Sequence, residues 1–361
     1  MLRQFIVAMF LLAVVPPALA ALDDVQLPPG FAIEEYADVP NARSLALGDK
    51  GTLFVSNRKG RSVYAVVEND DGSTRTIDLL DGMSTPNGIA FHKGDLYVAE
   101  IDRVYRYADI EDNLEDVPDG VVLDIDLPSD RHHGWRYIGF GPDDKLYVSI
   151  GAPCNVCDEY DYAQIIRVNT DGTGRETYAS GIRNSVGFTW HPESDELWFT
   201  DNGRDMMGDD LPPGELNRAP RQGLHFGFPY CHAGDILDPK FGKERECKNY
   251  TPPAQKLGPH VAPLGLAFYT GDMFPGEYHN QAFIAEHGSW NRSKKIGYRI
   301  SLVRVDGNQA VSYEPFAYGW LQGQSVSGRP VDVIVKQDGS LLVSDDYAGK
   351  IYRISYVGDA E

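Results

Sequence analysis

Apolar and polar residues alternate along this chain in short runs, and one phrase of that alternation recurs six times. A small or apolar strand leads through a polar turn into a second strand of period two, which ends on an acidic or polar residue. The copies occupy residues 44–56, 88–100, 138–150, 187–200, a more diverged 265–285, and 332–344. Their Gly-, Pro- or Asp-containing turns, such as Gly141-Pro142-Asp143-Asp144, mark β-hairpins. Further alternating runs at 62–67, 103–107, 165–168 and 350–355 supply the next strand of a set. Long amphipathic helical patterns are absent after residue 20. A spacing of roughly 45 to 50 residues per copy, with one wider gap between the fourth and fifth, matches one four-stranded blade. The pattern therefore predicts an all-β fold, a six-bladed β-propeller of four-stranded antiparallel blades, as a single domain over 21–361. Residues 30–37 read as a lone strand that completes the last sheet and closes the ring, leaving no open edge. Two stretches, 151–164 and 202–260, break the rhythm and read as loop-rich insertions on the binding face.

The first twenty residues do not belong to that pattern. Arg3, the apolar run from Phe5 to Val15 and Ala18-Leu19-Ala20 have the layout of an export signal with its cleavage site. The apolar run is too short to span a membrane, and Ala21 stands where a lipoprotein anchor would need Cys. The expectation is a periplasmic or secreted protein without a membrane anchor. Its formal net charge of −20 disfavours nucleic acid and anionic membrane surfaces, which select clustered Lys and Arg. The four cysteines, at 154, 157, 231 and 247, allow three pairings; an oxidising compartment and proximity favour Cys154–Cys157 and Cys231–Cys247. A metal site built from the same cysteines is the alternative.

Candidate chemistry gathers where chain enters or leaves the repeated strands. Asp130-Arg131-His132-His133-Gly134-Trp135-Arg136 precedes the third copy, where a His would suit a general base; a surface or strand-capping His is the plainer reading. Gly181-Ile182-Arg183-Asn184 precedes the fourth copy, and a fork-shaped guanidinium there suits a carboxylate or quinone oxygen. The loop from Asp201 through Gly203, Arg204, Asp205, Asp209 and Asp210 offers carboxylates and free carbonyls, the oxygen ligands Ca²⁺ prefers. His287-Gly288-Ser289-Trp290-Asn291-Arg292, followed by Lys294, could bracket a flat anion. Gly328-Arg329-Pro330-Val331 enters the sixth copy. Cations converging on one channel of an acidic protein imply a bound anion. No nucleophile elbow, phosphate loop, dinucleotide fingerprint or zinc-protease motif is present, and Cys154-x-x-Cys157 lacks the His of a haem attachment site.

In combination, these phrases resemble the soluble quinoprotein sugar dehydrogenases, most closely the sorbosone dehydrogenase branch, over residues 27 to 356. The resemblance rests on His132-His133-Gly134-Trp135-Arg136 leading into Phe140–Cys157, on Gly181-Ile182-Arg183-Asn184, on Glu286–Arg292 and on Gly328-Arg329. It implies pyrroloquinoline quinone (PQQ) and Ca²⁺ as cofactors, a sugar or sugar-derived aldehyde as substrate, and an external electron acceptor such as a cytochrome or quinone. It also implies His133 as catalytic base, with His132 its rival one residue away, and Arg183, Asn184 and Arg329 as quinone ligands. Arg292, with Lys294 behind it, is the nearest match for a blade-five cation. A second blade-six arginine is replaced by Val331. Gly203 and Arg204 match the residues whose carbonyls hold the cofactor's Ca²⁺, and Asp205, Asp209 and Asp210 are candidates for a further Ca²⁺. The rival readings are a Ca²⁺-dependent lactonase, which would need acids from several blades around one metal, and a non-catalytic binding propeller.

Overall fold

Six four-stranded antiparallel sheets follow one another around a central axis in a computed structural model that describes residues 22–358. The segment read as an export signal lies outside the described residues. Blade one is Ala42–Leu47, Leu53–Asn57, Val63–Glu68 and Thr74–Leu80; blade two is Gly88–His92, Asp95–Ala99, Val104–Tyr107 and Val121–Val122. Blade three comprises Ile138–Phe140, Leu146–Ile150, Gln164–Val168 and Glu176–Ser180, and blade four Phe188–Trp190, Leu197–Asp201, Pro213–Ala219 and Gln255–Pro259. Pro263–Phe268, Ala282–Glu286, Arg299–Asp306 and Gln309–Tyr318 make blade five. Blade six takes three strands from the C-terminal end, Pro330–Val335, Leu341–Asp345 and Lys350–Tyr356, and its outer strand, Phe31–Asp38, from the N-terminal end. That last pairing closes the ring as expected, and the Phe31 ring lies 4.7 to 5.2 Å from those of Phe274, Tyr278, Phe316 and Tyr356.

The core explains why the second strand of each blade is apolar on both faces. Alternate side chains point to opposite sides of a sheet, and here each side meets a neighbouring blade. Leu53 and Val55 pack with blade six, whereas Phe54 between them packs with blade two. Each adjacent pair of blades encloses its own apolar cluster in this way. A smaller cluster of Val186, Leu264 and Val331, one residue each from blades four, five and six, lies at the axis with Trp135 against it.

The insertion at 202–260 differs from the expected loop. It contains the third and fourth strands of blade four, and Leu224–His225 within it adds in parallel to the edge of blade three. These strands are short and interrupted by Pro and Gly, so their alternation is weak in the sequence. Both expected disulfides, Cys154–Cys157 and Cys231–Cys247, are formed.

Candidate active site

In blades one, two, four and six, the polar residue at or just after the end of the second strand bonds to the loop entering its own blade. Asp201 accepts hydrogen bonds from the backbone N–H groups of Arg183 (2.8 Å) and Asn184 (2.7 Å), and Asp345 accepts one from that of Arg329 (2.9 Å). Glu100 receives the N–H of Ser84, and Asn57 donates to the carbonyl of Pro40. Burial, with Glu215 nearby, pushes Asp201 up to about 8. These anchors turn the entrance loops toward the axis, where they enclose a cavity of about 330 Å³.

His133, Arg183, Asn184, Gly203, Asp205 and Arg329 are brought together in the wall of this cavity. His133 is buried, with φ of 50°, and its Nδ1 lies 2.8 Å from the carbonyl oxygen of Ala152. A carbonyl only accepts, so Nδ1 carries the proton and Nε2 keeps its lone pair. Burial first, then the positive charge of Arg183, pushes this imidazole down to about 2, which leaves it neutral at physiological pH. Neighbouring glycines make room for it. A Cβ on Gly134 would stand 2.1 Å from the Asp130 carbonyl, and one on Gly151 would meet the His133 Cβ at 2.6 Å. His132 is exposed and does not line the cavity.

Arg183 is held from several sides. Its guanidinium pairs with Asp205 (3.0 Å) and donates to the carbonyls of Asn155 (2.9 Å) and Asn202 (3.1 Å) and to the Asn155 side chain (3.0 Å). Asn155 sits inside the Cys154–Cys157 loop and also accepts from the N–H of Asp205. Arg329 donates to the carbonyls of His287 (3.1 Å) and Gly288 (3.2 Å).

Other expected residues lie elsewhere. Arg292 does not line the cavity: it ties the Asp209 carbonyl and the Asp210 carboxylate to its own loop, and Lys294 is exposed. Asp205, Asp209 and Asp210 do not converge. Asp205 serves Arg183, Asp209 accepts from the N–H of Ser293 (2.9 Å), and Asp210 pairs with Arg292 (3.0 Å). No group of three or more His, Cys, Asp or Glu side chains suited to a metal occurs among the described residues. The Arg204 side chain turns away to pair with Asp238. The carbonyls of Gly203 and Arg204 accept no hydrogen bond among the described residues, a donor set that fits Ca²⁺ held by backbone oxygen.

Several cavity residues were not found in the sequence. Arg43 pairs with Asp346 (3.0 Å), which also accepts from His287 Nε2 (2.8 Å). Burial first, and the charges of Arg329 and Arg43, keep His287 at about 4 although Asp346 opposes them. Arg58 lies over the ring of Trp135, 4.4 Å from its centroid. The available signal was positional. Strand pairing aligns Arg58, Gly151, Asn202, His287 and Asp346 as the residues that follow the anchoring strand end in their blades.

A six-bladed propeller whose axial cavity gathers arginines around a neutral histidine defines the class of this protein. Residues 25–357 match the TrAA12-like family model, and the chain belongs to that family. An uncharacterised protein of Borreliella burgdorferi is 34% identical over 371 residues, covering 98% of this chain and 97% of the relative. Among solved structures, the calcium structure of Trichoderma reesei carbohydrate-active enzyme family AA12 aligns with a TM-score of 0.81 at 20% identity, covering 92% of this chain and 97% of that one. The holo form of the Coprinopsis cinerea pyranose dehydrogenase PQQ domain aligns with a TM-score of 0.79 at 18% identity and the same coverage. The TrAA12-like match agrees with the resemblance to soluble quinoprotein sugar dehydrogenases and does not bear on the sorbosone branch.

Proposed function

We propose that the protein is an exported PQQ- and Ca²⁺-dependent oxidoreductase of sugars. The observation that carries this reading is the convergence of Arg43, Arg58, Arg183 and Arg329 with a neutral, buried His133 on one axial cavity. Family membership supports it, as do similar solved propellers described as a pyranose dehydrogenase PQQ domain and a calcium-containing AA12 enzyme. The residues present fit the cofactors: the cavity guanidiniums suit a polycarboxylate quinone, and the carbonyls of Gly203, in the cavity wall, and of Arg204, next to it in sequence, would hold Ca²⁺. When bound, the quinone supplies a two-electron acceptor and Ca²⁺ a Lewis acid.

The chain's own part follows from its geometry. His133 Nε2 takes the proton of the substrate hydroxyl that is to become a carbonyl, while the Ala152 carbonyl fixes the ring and its tautomer. Arg183, Asn184 and Arg329 would hold the cofactor's oxygens, and electrons taken from the sugar would pass to an external acceptor, a cytochrome or quinone. Both disulfides agree with an oxidising compartment. A lactonase would need carboxylates around an axial metal, and the cavity wall presents arginines instead.

The test is reconstitution of purified protein with PQQ and Ca²⁺, followed by dye-linked oxidation of a panel of aldopyranoses. Turnover that requires both additions, with the lactone as product, is expected. Binding of the quinone without oxidation of any sugar or aldehyde would overturn the assigned substrate class.

A further inference from the structure

Two of the four cavity arginines are neutralised within the protein, Arg43 by Asp346 and Arg183 by Asp205. The Arg329 guanidinium hydrogen-bonds only to neutral carbonyls among the described residues. Arg58 has neither an ion pair nor a hydrogen bond among the described residues; its one close partner is the face of Trp135. Asp346, the acid whose charge acts on it, is already shared by Arg43 and His287. Retaining a half-buried cation without a counter-ion is costly, unless a ligand supplies the charge. The Trp135 ring holds the guanidinium against a flat surface, and the same ring packs edge-on to His133, with centroids 5.9 Å apart.

Blade six cannot provide a second cation through Val331, which is buried in the apolar axial cluster with Val186 and Leu264. The unmatched charge comes instead from the opposite side of the ring closure, blade one. We propose that Arg58 is a further cofactor-binding residue, which pairs with a carboxylate of the bound quinone while Trp135 fixes its plane. The assignment rests on the quinone reading and specifies the ligand as a flat molecule carrying at least two negative charges, one each for Arg58 and Arg329. A neutral sugar alone would leave both unmatched.

The experiment compares equilibrium binding of PQQ and of its uncharged trimethyl ester, with Ca²⁺ present, to wild type, Arg58→Gln and Arg58→Lys. Quenching of tryptophan fluorescence reports affinity, and thermal melting reports folding. Because Arg58 makes no hydrogen bond among the described residues, both variants should melt near wild type. Arg58→Gln should weaken the acid by about 10- to 100-fold, the range for a lost charged hydrogen bond, and Arg58→Lys should recover part of it. The ester should bind wild type and Arg58→Gln alike. Unchanged acid affinity in Arg58→Gln, or equal losses for acid and ester, would overturn the role of Arg58 while the quinone reading stands. Failure of wild type to bind PQQ at all would overturn both.

Discussion

A histidine whose Nδ1–H is committed to a carbonyl and whose Nε2 is free can act only as a proton acceptor. His133→Gln should therefore lower turnover by ~100-fold or more while leaving quinone affinity within a few-fold of wild type, measured by titration and steady-state kinetics on the same sample. Turnover near that of wild type would remove His133 from the mechanism. His133, Arg183 and Arg329 were legible because each lies in a short phrase just before a repeated strand. Arg43 and Arg58 flank the first copy without such a phrase, and their place at the cavity follows only once the strands of all blades are in register. The place of Arg292 was not legible for a related reason: the sequence shows a cation near Trp290, but not that the Asp209 carbonyl and the Asp210 carboxylate are its partners.

At the level of elements, the strand-end anchors and the disulfide loop do the positioning. Asn155 joins the loop at 151–164 to the loop after Asp201 by accepting from both Arg183 and the Asp205 N–H. Asn155→Ala removes the Oδ1 that accepts both bonds, leaving the Arg183 guanidinium one hydrogen bond short while its bond to the Asn155 carbonyl remains. Quinone affinity should fall by about 10-fold, with His133 still titrating as in wild type; an unchanged affinity would show that Arg183 is held without it. The repeated hairpins were readable because each second strand is a short, nearly unbroken apolar run, buried on both faces and bounded by turn residues. The outer strands of blade four were not, since they are set within an insertion and Gln255–Pro259 carries little alternation. The acidic loop after Asp201 read as a metal cluster because composition does not reveal partners; its carboxylates are taken by Arg183, Arg292 and the Ser293 N–H.

The whole molecule is a ring, and its closure can be probed apart from its chemistry. Beyond the outer-strand pairing, Asp332 of blade six accepts the backbone N–H of Leu45 in blade one at 2.9 Å. Burial raises this carboxyl to about 7, above its value of 3.8 in an unfolded chain. The stability it contributes is full below pH 4 and is lost as pH rises toward 7, at up to about 1.4 kcal/mol per pH unit. The melting temperature of wild type relative to Asp332→Asn should thus decline from pH 4 to 7 and level off above. A difference that stays flat over that window would mean that Asp332 is ionised in the fold.

The central claim is that the arginines around the axis exist to hold an anionic quinone. Calorimetric titration of the purified protein with PQQ, with and without Ca²⁺, tests it most directly. The account predicts one quinone per chain, binding that weakens sharply when Ca²⁺ is chelated, and progressive loss of affinity with added salt as the guanidinium contacts are screened. No binding at any Ca²⁺ concentration would contradict it.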